Sequence, residues 1–235
     1  MDIKQATRIQ TSIFNGLEKK ILVWMAERQP KWVTSNFLSF IGFVGAVVIA
    51  AGFILSDKNI NYLWVSSLGL LINWYGDSMD GTLARVRNTQ RPVFGYYLDH
   101  ILDGINESIM FIGAGVSALM HLPLALFVLL LYLLLTINVS INAHLRREFK
   151  LTYLKMGPTE FRIAIVIANT IMIFSDKIRN FIWGIEIFNH QIALTSFDCL
   201  ALVLIMLLLF IFAVNVVSDL RYYNRVDPPK VWKNN

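Results

Sequence analysis

Residues 77–103 read DSMDGTLARVRNTQRPVFGYYLDHILD, and this stretch decides what kind of protein the chain is. It contains Asp77, Asp80, Asp99 and Asp103, which lie inside or at the mouth of hydrophobic segments long enough to cross a membrane. A charged side chain at the centre of a membrane helix costs about 3 kcal/mol on insertion scales. Four carboxylates gathered at that cost indicate a functional site within a membrane protein.

The spacing of the four aspartates indicates the kind of site. On a helix, Asp77 and Asp80 share one face because they are three residues apart, and Asp99 and Asp103 share another because they are four apart. A loop of about ten residues predicts that the two helices are antiparallel neighbours whose faces meet. Carboxylates that close repel one another unless cations intervene. Oxygen ligands without a Cys or His cluster favour Mg²⁺, Mn²⁺ or Ca²⁺ over zinc, and two divalent ions would balance the charge.

Composition places the rest of the chain in the membrane as well. Hydrophobic residues make up 56% of the sequence and charged residues 16%, outside the usual range of soluble domains. We therefore predict an all-α polytopic membrane protein, with residues 1–235 as a single domain. An amphipathic surface helix is predicted within 1–30, six transmembrane helices within 33–221 and a tail at 222–235. The predicted spans are about 33–56, 60–86, 94–118, 122–146, 158–176 and 197–221.

The distribution of basic residues predicts the orientation of these helices. Lysine and arginine are frequent in the N-terminal segment, in the loops after the second and fourth spans and in the tail, whereas the opposite loops hold Lys58, Lys177 and Arg179. By the positive-inside rule, both termini and the aspartate loop are expected to be cytoplasmic. The net charge of +5 indicates attraction to anionic lipid headgroups, and nucleic acid is not an expected partner. Cys199 is the only cysteine, so disulfides within the chain and thiolate metal sites are excluded.

The pattern Asp-x-x-Asp-Gly-x-x-Ala-Arg, followed by Gly-x-x-x-Asp-x-x-x-Asp, resembles the signature of the CDP-alcohol phosphotransferase family, integral membrane enzymes of phospholipid synthesis. The family's six-helix arrangement extends the resemblance over most of the chain. The nine residues between the two halves slightly exceed the usual gap, which leaves the subfamily open. Every fixed position of the signature is present: Asp77, Asp80, Gly81, Ala84, Arg85, Gly95, Asp99 and Asp103.

The resemblance implies an enzyme that transfers a substituted phosphate group from a CDP-alcohol to an acceptor alcohol and releases CMP. Asp77, Asp80 and Asp99 would hold Mg²⁺ or Mn²⁺, in two ions, and Asp103 would act as general base, as metal ligand or as both. Upstream, residues 34–39 partly resemble the Thr-Pro-Asn-x-x-Thr run of the family, although Thr34 or Ser35 could simply cap a helix. The residues implied to contact the nucleotide are Asn36, Gly81, Ala84 and Arg85.

Candidates for binding the acceptor are Arg146, Glu160 and Arg162, near the cytoplasmic ends of the fourth and fifth spans. Two substrate combinations stay open. CDP-diacylglycerol could donate to a small polar alcohol, which the basic residues favour, or CDP-choline or CDP-ethanolamine could donate to a lipid hydroxyl. The pair Thr159-Glu160 and the position of His100 resemble the second branch of the family. The basic residues also satisfy the positive-inside rule with no substrate at all.

Two other classes of function fit the sequence less well than a transferase. A cation transporter or channel could use intramembrane acids, but its acids would be spread over several spans or broken helices. An inactive scaffold would be expected to have lost an aspartate, and none is lost. Asn73, Glu107, Asn138 and Asn142 are expected to make polar contacts between helices. Family members often form homodimers, and the sequence neither shows nor excludes one.

Overall fold

Helices dominate the structure, a computed structural model that describes residues 7–9, 15–146, 148–150, 158–187 and 190–229. A 3₁₀ turn over Ile60–Tyr62 precedes the third helix. Strand β1 (Thr7–Ile9) pairs in parallel with β2 (Glu148–Lys150), and β3 (Ile182–Ile187) pairs antiparallel with β4 (His190–Thr195). The helices are α1 Asn15–Glu27, α2 Ser35–Leu55, α3 Leu63–Val86, α4 Pro92–Val116, α5 Leu122–Arg146, α6 Pro158–Phe174, α7 Asp176–Arg179 and α8 Ser196–Val226.

Helices α2 to α6 and α8 coincide with the six predicted spans, with ends that differ by five residues at most. Within the described residues, α2, α5 and α8 are long and apolar enough to cross a membrane, which makes this an integral membrane protein. Helices α3 and α4 fall short because they carry the clustered acids, and α6 has 17 residues where roughly 20 are needed. Six transmembrane crossings are therefore not confirmed.

Small residues bring α2 and α3 into direct backbone contact. A Cβ added to Gly45 of α2 would lie 2.7 Å from the Asn73 Cα, and one added to Gly76 of α3 would lie 2.6 Å from the Leu38 carbonyl oxygen. Glycine at such positions lets membrane helices approach closely. The Asn73 side-chain amide also donates to the Gly42 carbonyl oxygen at 2.9 Å, the interhelical contact that was predicted. This interface fixes the rotation of α3 and therefore the direction of its aspartates.

Helix α2 packs against both aspartate-bearing helices, while α4 also packs on α5, α5 on α8, and α3 on α6. Buried side chains of α2, α3, α4 and α6 share one core cluster, which includes Phe53, Leu70, Ala114 and Met172. The loop between α3 and α4 spans residues 87–91 and is shorter than the ten residues expected. The two helices approach each other at their aspartate side chains, as the spacing predicted.

The N-terminal segment forms a helix over part of the predicted length. Helix α1 buries Leu22 and Ala26 against Leu38, Met79 and Leu83 of α2 and α3, and its opposite side is exposed. Residues 7–9 form β1 and do not continue the helix, since they pair with the segment that follows α5. The remaining residues of the predicted amphipathic segment, 1–6 and 10–14, lie outside the described part of the chain.

Arg87, one residue beyond α3, anchors the connection between α1 and α2. Its guanidinium donates to the carbonyl oxygens of Val33 at 2.5 Å, Gln29 at 2.8 Å and Pro30 at 2.9 Å. Thr34 then caps α2, because its hydroxyl oxygen accepts the Phe37 amide at 3.2 Å, as the capping alternative predicted. These contacts place the first turn of α2 beside the last turns of α3.

The connection between α6 and α8 contains a β-hairpin that the sequence analysis did not predict. Trp183 pairs with Leu194 and Ile185 with Ile192, which gives the hairpin an apolar face, while Glu186 pairs with Gln191 on the other. Six-residue strands produce a much weaker pattern than the long apolar helices around them. The hairpin follows the far end of α6, whose first turns carry the Arg162 that contacts Asp77.

Candidate active site

Three of the four aspartates come together between α3 and α4. Asp77, Asp99 and Asp103 each offer a carboxylate oxygen, and these three oxygens lie within 4.8 Å of one another. Asp77 and Asp103 are half-buried, whereas Asp99 is exposed, so the cluster opens outward through Asp99. The pairing of the two helix faces that the spacing predicted is confirmed for these three residues.

Asp80 follows Asp77 by one turn of α3 but makes different contacts. Its Oδ2 accepts the Ser39 hydroxyl of α2 at 2.6 Å, and its Oδ1 accepts the backbone amide of Gly81. Ser39 occupies the last position of the partial Thr-Pro-Asn-x-x-Thr resemblance. The sequence therefore pointed to Ser39 without indicating that it would hold an aspartate, and Asp80 sits at the edge of the cluster.

Arg162 of α6 binds the cluster directly. Its Nη2 donates to the Asp77 Oδ2 at 2.8 Å, and its Nε donates to the Asn73 side-chain oxygen at 3.2 Å. Asn73 is itself held by its bond to α2, so the guanidinium is fixed at two points. An arginine predicted as an acceptor ligand and an aspartate predicted as a metal ligand are therefore in contact with each other.

The polar interior extends from the cluster toward α5. Glu107 lies one turn beyond Asp103 on α4, and Tyr132 of α5 lies close to it. The Oε2 atom of Glu107 is buried, and no described residue donates a hydrogen bond to it. The interhelical hydrogen bond predicted for Glu107 thus stays a prediction, and Tyr132 was missed because a single tyrosine in an apolar span carries no distinguishing pattern.

The predicted nucleotide residues line one side of this region. Gly81 and Ala84 follow Asp77 on the same face of α3, by about one and two turns. A Cβ on Gly81 would meet only the Arg85 guanidinium, at 3.4 Å, so close helix packing does not explain this glycine. Arg85 also donates to the Thr82 hydroxyl at 2.9 Å. Asn36 is exposed in the first turn of α2, one turn before Ser39.

Arg146 is placed elsewhere than its predicted acceptor role requires. Its guanidinium donates to Asp219 of α8 at 2.7 Å and lies 3.8 Å above the ring of Tyr222. Asn138 and Asn142 of α5 donate to the same Asp219 at 3.0 and 2.7 Å, which are the interhelical contacts predicted for them. Among the described residues, Arg162 and not Arg146 forms an ion pair with the clustered aspartates, because α5 turns Arg146 toward α8.

Thr159 and Glu160 lie in the first turn of α6, three and two residues before Arg162. The Thr159 hydroxyl donates to Glu18 of α1 at 2.9 Å, so this turn faces the N-terminal helix. Glu160 is half-buried beside it. The structure therefore brings two of the three acceptor candidates, Glu160 and Arg162, to one end of the same helix.

The donor set of the cluster fits a hard divalent cation. Asp77, Asp99 and Asp103 supply carboxylate oxygens within 4.8 Å of one another, and opposite ligands of an octahedral Mg²⁺ lie roughly 4 Å apart. No Cys or His belongs to this set, which disfavours zinc.

Comparison with known proteins agrees with this site. Residues 32–217 match the CDP-alcohol phosphatidyltransferase family. The chain belongs to this family. Members of the CDP-alcohol phosphatidyltransferase family transfer phospholipid headgroups, so membership confirms the predicted resemblance and favours a transferase over a cation transporter. No curated protein sequence matches the chain.

One similar solved structure is the phosphatidylinositol phosphate synthase of Mycobacterium tuberculosis with CDP-DAG bound. The two chains are 16% identical, and the alignment covers 90% of this chain and 100% of that one with a TM-score of 0.59. At this identity the likeness establishes a common fold. The CDP-alcohol phosphatidyltransferase fold thus accounts for nearly the whole chain, including the helix that carries Arg162.

Proposed function

We propose that this protein is a divalent-metal-dependent CDP-alcohol phosphotransferase of phospholipid biosynthesis. It transfers a substituted phosphate group from a CDP-alcohol to an acceptor alcohol and releases CMP. The observation that carries this proposal is the convergence of Asp77, Asp99 and Asp103 within 4.8 Å beside the half-buried Arg162. Family membership supports the class of reaction.

Asp77, Asp99 and Asp103 would hold Mg²⁺ or Mn²⁺, with Asp80 completing the set on the side of Ser39. A divalent ion bound there would offset the negative charge that builds on the pyrophosphate oxygens during transfer. The two-ion stoichiometry expected from four aspartates requires Asp80 to turn from Ser39 toward the cluster, since Asp80 is engaged with Ser39 at 2.6 Å.

Asp103 is the proposed general base. The acceptor oxygen forms a bond to the phosphorus that carries the donor alcohol, and the bond from that phosphorus to the CMP oxygen breaks. The acceptor proton passes to the Asp103 carboxylate, and CMP leaves with the electron pair. Asp103 suits this role because it lies at the inner, half-buried side of the cluster, next to Glu107 on the same helix face.

The donor is proposed to bind along the face of α3 formed by Gly81, Ala84 and Arg85, with Asn36 across from it on α2. The space in front of Gly81, bounded only by the Arg85 guanidinium, supports close approach of a flat nucleotide. We favour CDP-diacylglycerol as the donor, since the M. tuberculosis protein of the same fold was solved with CDP-DAG.

The acceptor is proposed to bind on the α6 side of the cluster, near Arg162 and Glu160. Arg162 supports this assignment because its guanidinium is already within 2.8 Å of Asp77 and could contact a phosphorylated or polyhydroxylated alcohol there. Arg146 is not included, since its charge is engaged by Asp219.

The membrane arrangement is part of the proposal. All six long helices would cross the bilayer as one domain, with the N-terminal segment, the α3–α4 loop and the tail on the cytoplasmic side. The excess of basic residues in these segments supports this orientation.

Purified protein in detergent tests the function with radiolabelled CDP-diacylglycerol or CDP-choline, Mg²⁺ and a panel of acceptors, with lipid products separated by chromatography. A labelled phospholipid made from CDP-diacylglycerol and a water-soluble alcohol is the expected result. A product made only from CDP-choline and diacylglycerol would reverse the donor assignment. The absence of any CMP release across the panel would contradict the transferase.

A further inference from the structure

Glu18 of α1 links the two helices that meet at the Arg162–Asp77 ion pair. Its Oε1 accepts the indole N–H of Trp74 from α3 at 2.7 Å and the hydroxyl of Thr159 from α6 at 2.9 Å. One carboxylate oxygen therefore bridges α3 and α6, although it belongs to neither helix. The family signature does not include this residue.

The two partners of Glu18 lie close to the Arg162–Asp77 ion pair. Trp74 lies three residues before Asp77 on α3, and Thr159 lies three residues before Arg162 on α6. Residues three apart on a helix are neighbours on one face. The Glu18 bridge and the Arg162–Asp77 pair, whose atoms are 2.8 Å apart, are therefore successive links between the same two helices.

Helix α1 is anchored firmly enough to hold such a link. Glu18 precedes the buried Leu22 by one turn and the buried Ala26 by two, so it lies on the face of α1 that packs on the bundle. Glu27 of the same helix is exposed and is 4.0 Å from its neighbour Arg28. The two acids on α1 thus differ in a way that sequence position alone does not reveal.

We propose that Glu18 is a positioning residue, which sets the separation of α3 and α6 and thereby holds Arg162 against Asp77. It touches no reacting atom and acts through Trp74 and Thr159. The expected effect on kcat rests on the proposed function, whereas the expected effect on metal affinity at Asp77 can be measured without it. It also assigns a role to the N-terminal surface helix, which would be part of the active-site framework.

The test compares Glu18→Ala with Glu18→Gln and with Glu27→Ala as the matched control on the same helix. Both hydrogen bonds end on one oxygen, and the carbonyl oxygen of glutamine can accept both, so Glu18→Gln should stay within about twofold of wild type. Glu18→Ala should lower both kcat and Mn²⁺ affinity, measured by electron paramagnetic resonance, about tenfold. Glu27→Ala should change neither.

Trp74→Phe and Thr159→Val each remove one of the two hydrogen-bond donors to Glu18. These variants replace Glu18→Ala in the test if Glu18→Ala does not fold. Each should give part of the loss, and Glu18→Ala added to the double variant should give no further loss. Equal Mn²⁺ affinity and rate in Glu18→Ala and Glu27→Ala would overturn the proposal, as would a loss in Glu18→Gln as large as in Glu18→Ala. Wild-type protein that binds Mn²⁺ but transfers no phosphate group would refute the proposed function while the Mn²⁺ series still decides the role of Glu18.

Discussion

The Arg162 Nη2 atom on α6 lies 2.8 Å from the Asp77 Oδ2 atom on α3. Asp77 therefore contacts a guanidinium while it also belongs to the cluster with Asp99 and Asp103. The positive charge offsets part of the repulsion among Asp77, Asp99 and Asp103. It also connects the proposed metal site to the proposed acceptor side through a single contact. Loss of either partner should therefore affect both functions.

Arg162→Ala should lower kcat/KM at least about tenfold, because Asp77 loses a charged hydrogen bond and Asn73 loses its donor. Arg162→Lys should recover part of the rate, since lysine keeps the charge but cannot bind both partners in the same geometry. Steady-state kinetics with separate acceptor and Mg²⁺ titrations measures this. Arg146→Ala is the control and should leave both titrations unchanged while lowering thermal stability. An acceptor KM raised by Arg146→Ala would restore that residue as an acceptor ligand.

Asp77→Asn and Asp99→Asn should each reduce kcat at least about 10²-fold, a scale that corresponds to roughly 3 kcal/mol of lost charge stabilisation. Asp80→Asn should have a comparable effect if Asp80 joins the cluster when metal is present. Ser39→Ala separates the two positions of Asp80, because it frees the carboxylate without removing its charge. Activity should survive Ser39→Ala within about tenfold. Full activity of Asp80→Asn at low Mg²⁺ would remove Asp80 from the metal ligands.

The contrast between Asp77 and Asp80 marks how far the sequence could predict this site. Spacing of three and four residues correctly indicated that two helix faces carry the acids, and apolar length correctly placed the six long helices. The direction of Asp80 depends on the rotation of α3. That rotation is determined by contacts with α2, such as the packing of Gly76 of α3 on α2, and no local sequence pattern encodes it. Arg162 and Glu18 are far from the aspartates in sequence, so only the packing of α1 and α6 on α3 reveals their partners.

Substitutions at glycines of α2 and α3 should distinguish effects on stability from effects on donor binding. Gly45→Ala should lower stability by about 1 to 3 kcal/mol, because its Cβ would overlap Asn73 of α3. Gly81→Ala should fold normally but raise the KM for the donor, since its Cβ would enter the space proposed for the nucleotide. Gly184→Ala, where a Cβ meets nothing within 4 Å, is the control for stability. Thermal unfolding in detergent and donor titration measure the two effects, and an unchanged donor KM in Gly81→Ala would exclude that position from the donor site.

The orientation of the site can be tested by labelling single cysteines in a Cys199→Ala background. Gln90 in the α3–α4 loop is exposed, and unlike Asn88 it does not adopt a left-handed backbone conformation, so it accepts cysteine without strain. Gln90→Cys should react with an impermeant maleimide only after the cytoplasmic face is opened. Asn180→Cys, exposed at the opposite end of the bundle, should react from outside intact cells. Reaction of Gln90→Cys from outside would reverse the proposed topology.

Asp103 offers the sharpest test because its two proposed roles have different consequences. A general base contributes about 10²- to 10⁴-fold through proton transfer, whereas a metal ligand contributes to binding as well. If Asp103 acts mainly as the base, Asp103→Asn should abolish most of kcat yet leave CMP affinity, measured by calorimetry with Mn²⁺ present, within about threefold of wild type. Asp77→Asn, at the same cluster, should weaken both and so provides the comparison.

The position of Asp103 favours the first outcome. It is half-buried, whereas Asp99 is exposed, and it shares the cluster with Asp77, the residue that Arg162 binds. Glu107 lies one turn further along α4, and its Oε2 atom is buried without a hydrogen-bond partner among the described residues. Parallel loss of CMP affinity, Mn²⁺ affinity and rate in Asp103→Asn would make Asp103 chiefly a ligand. The base would then be sought among Glu107, His100 and Glu160, each replaced in turn in the presence of saturating metal.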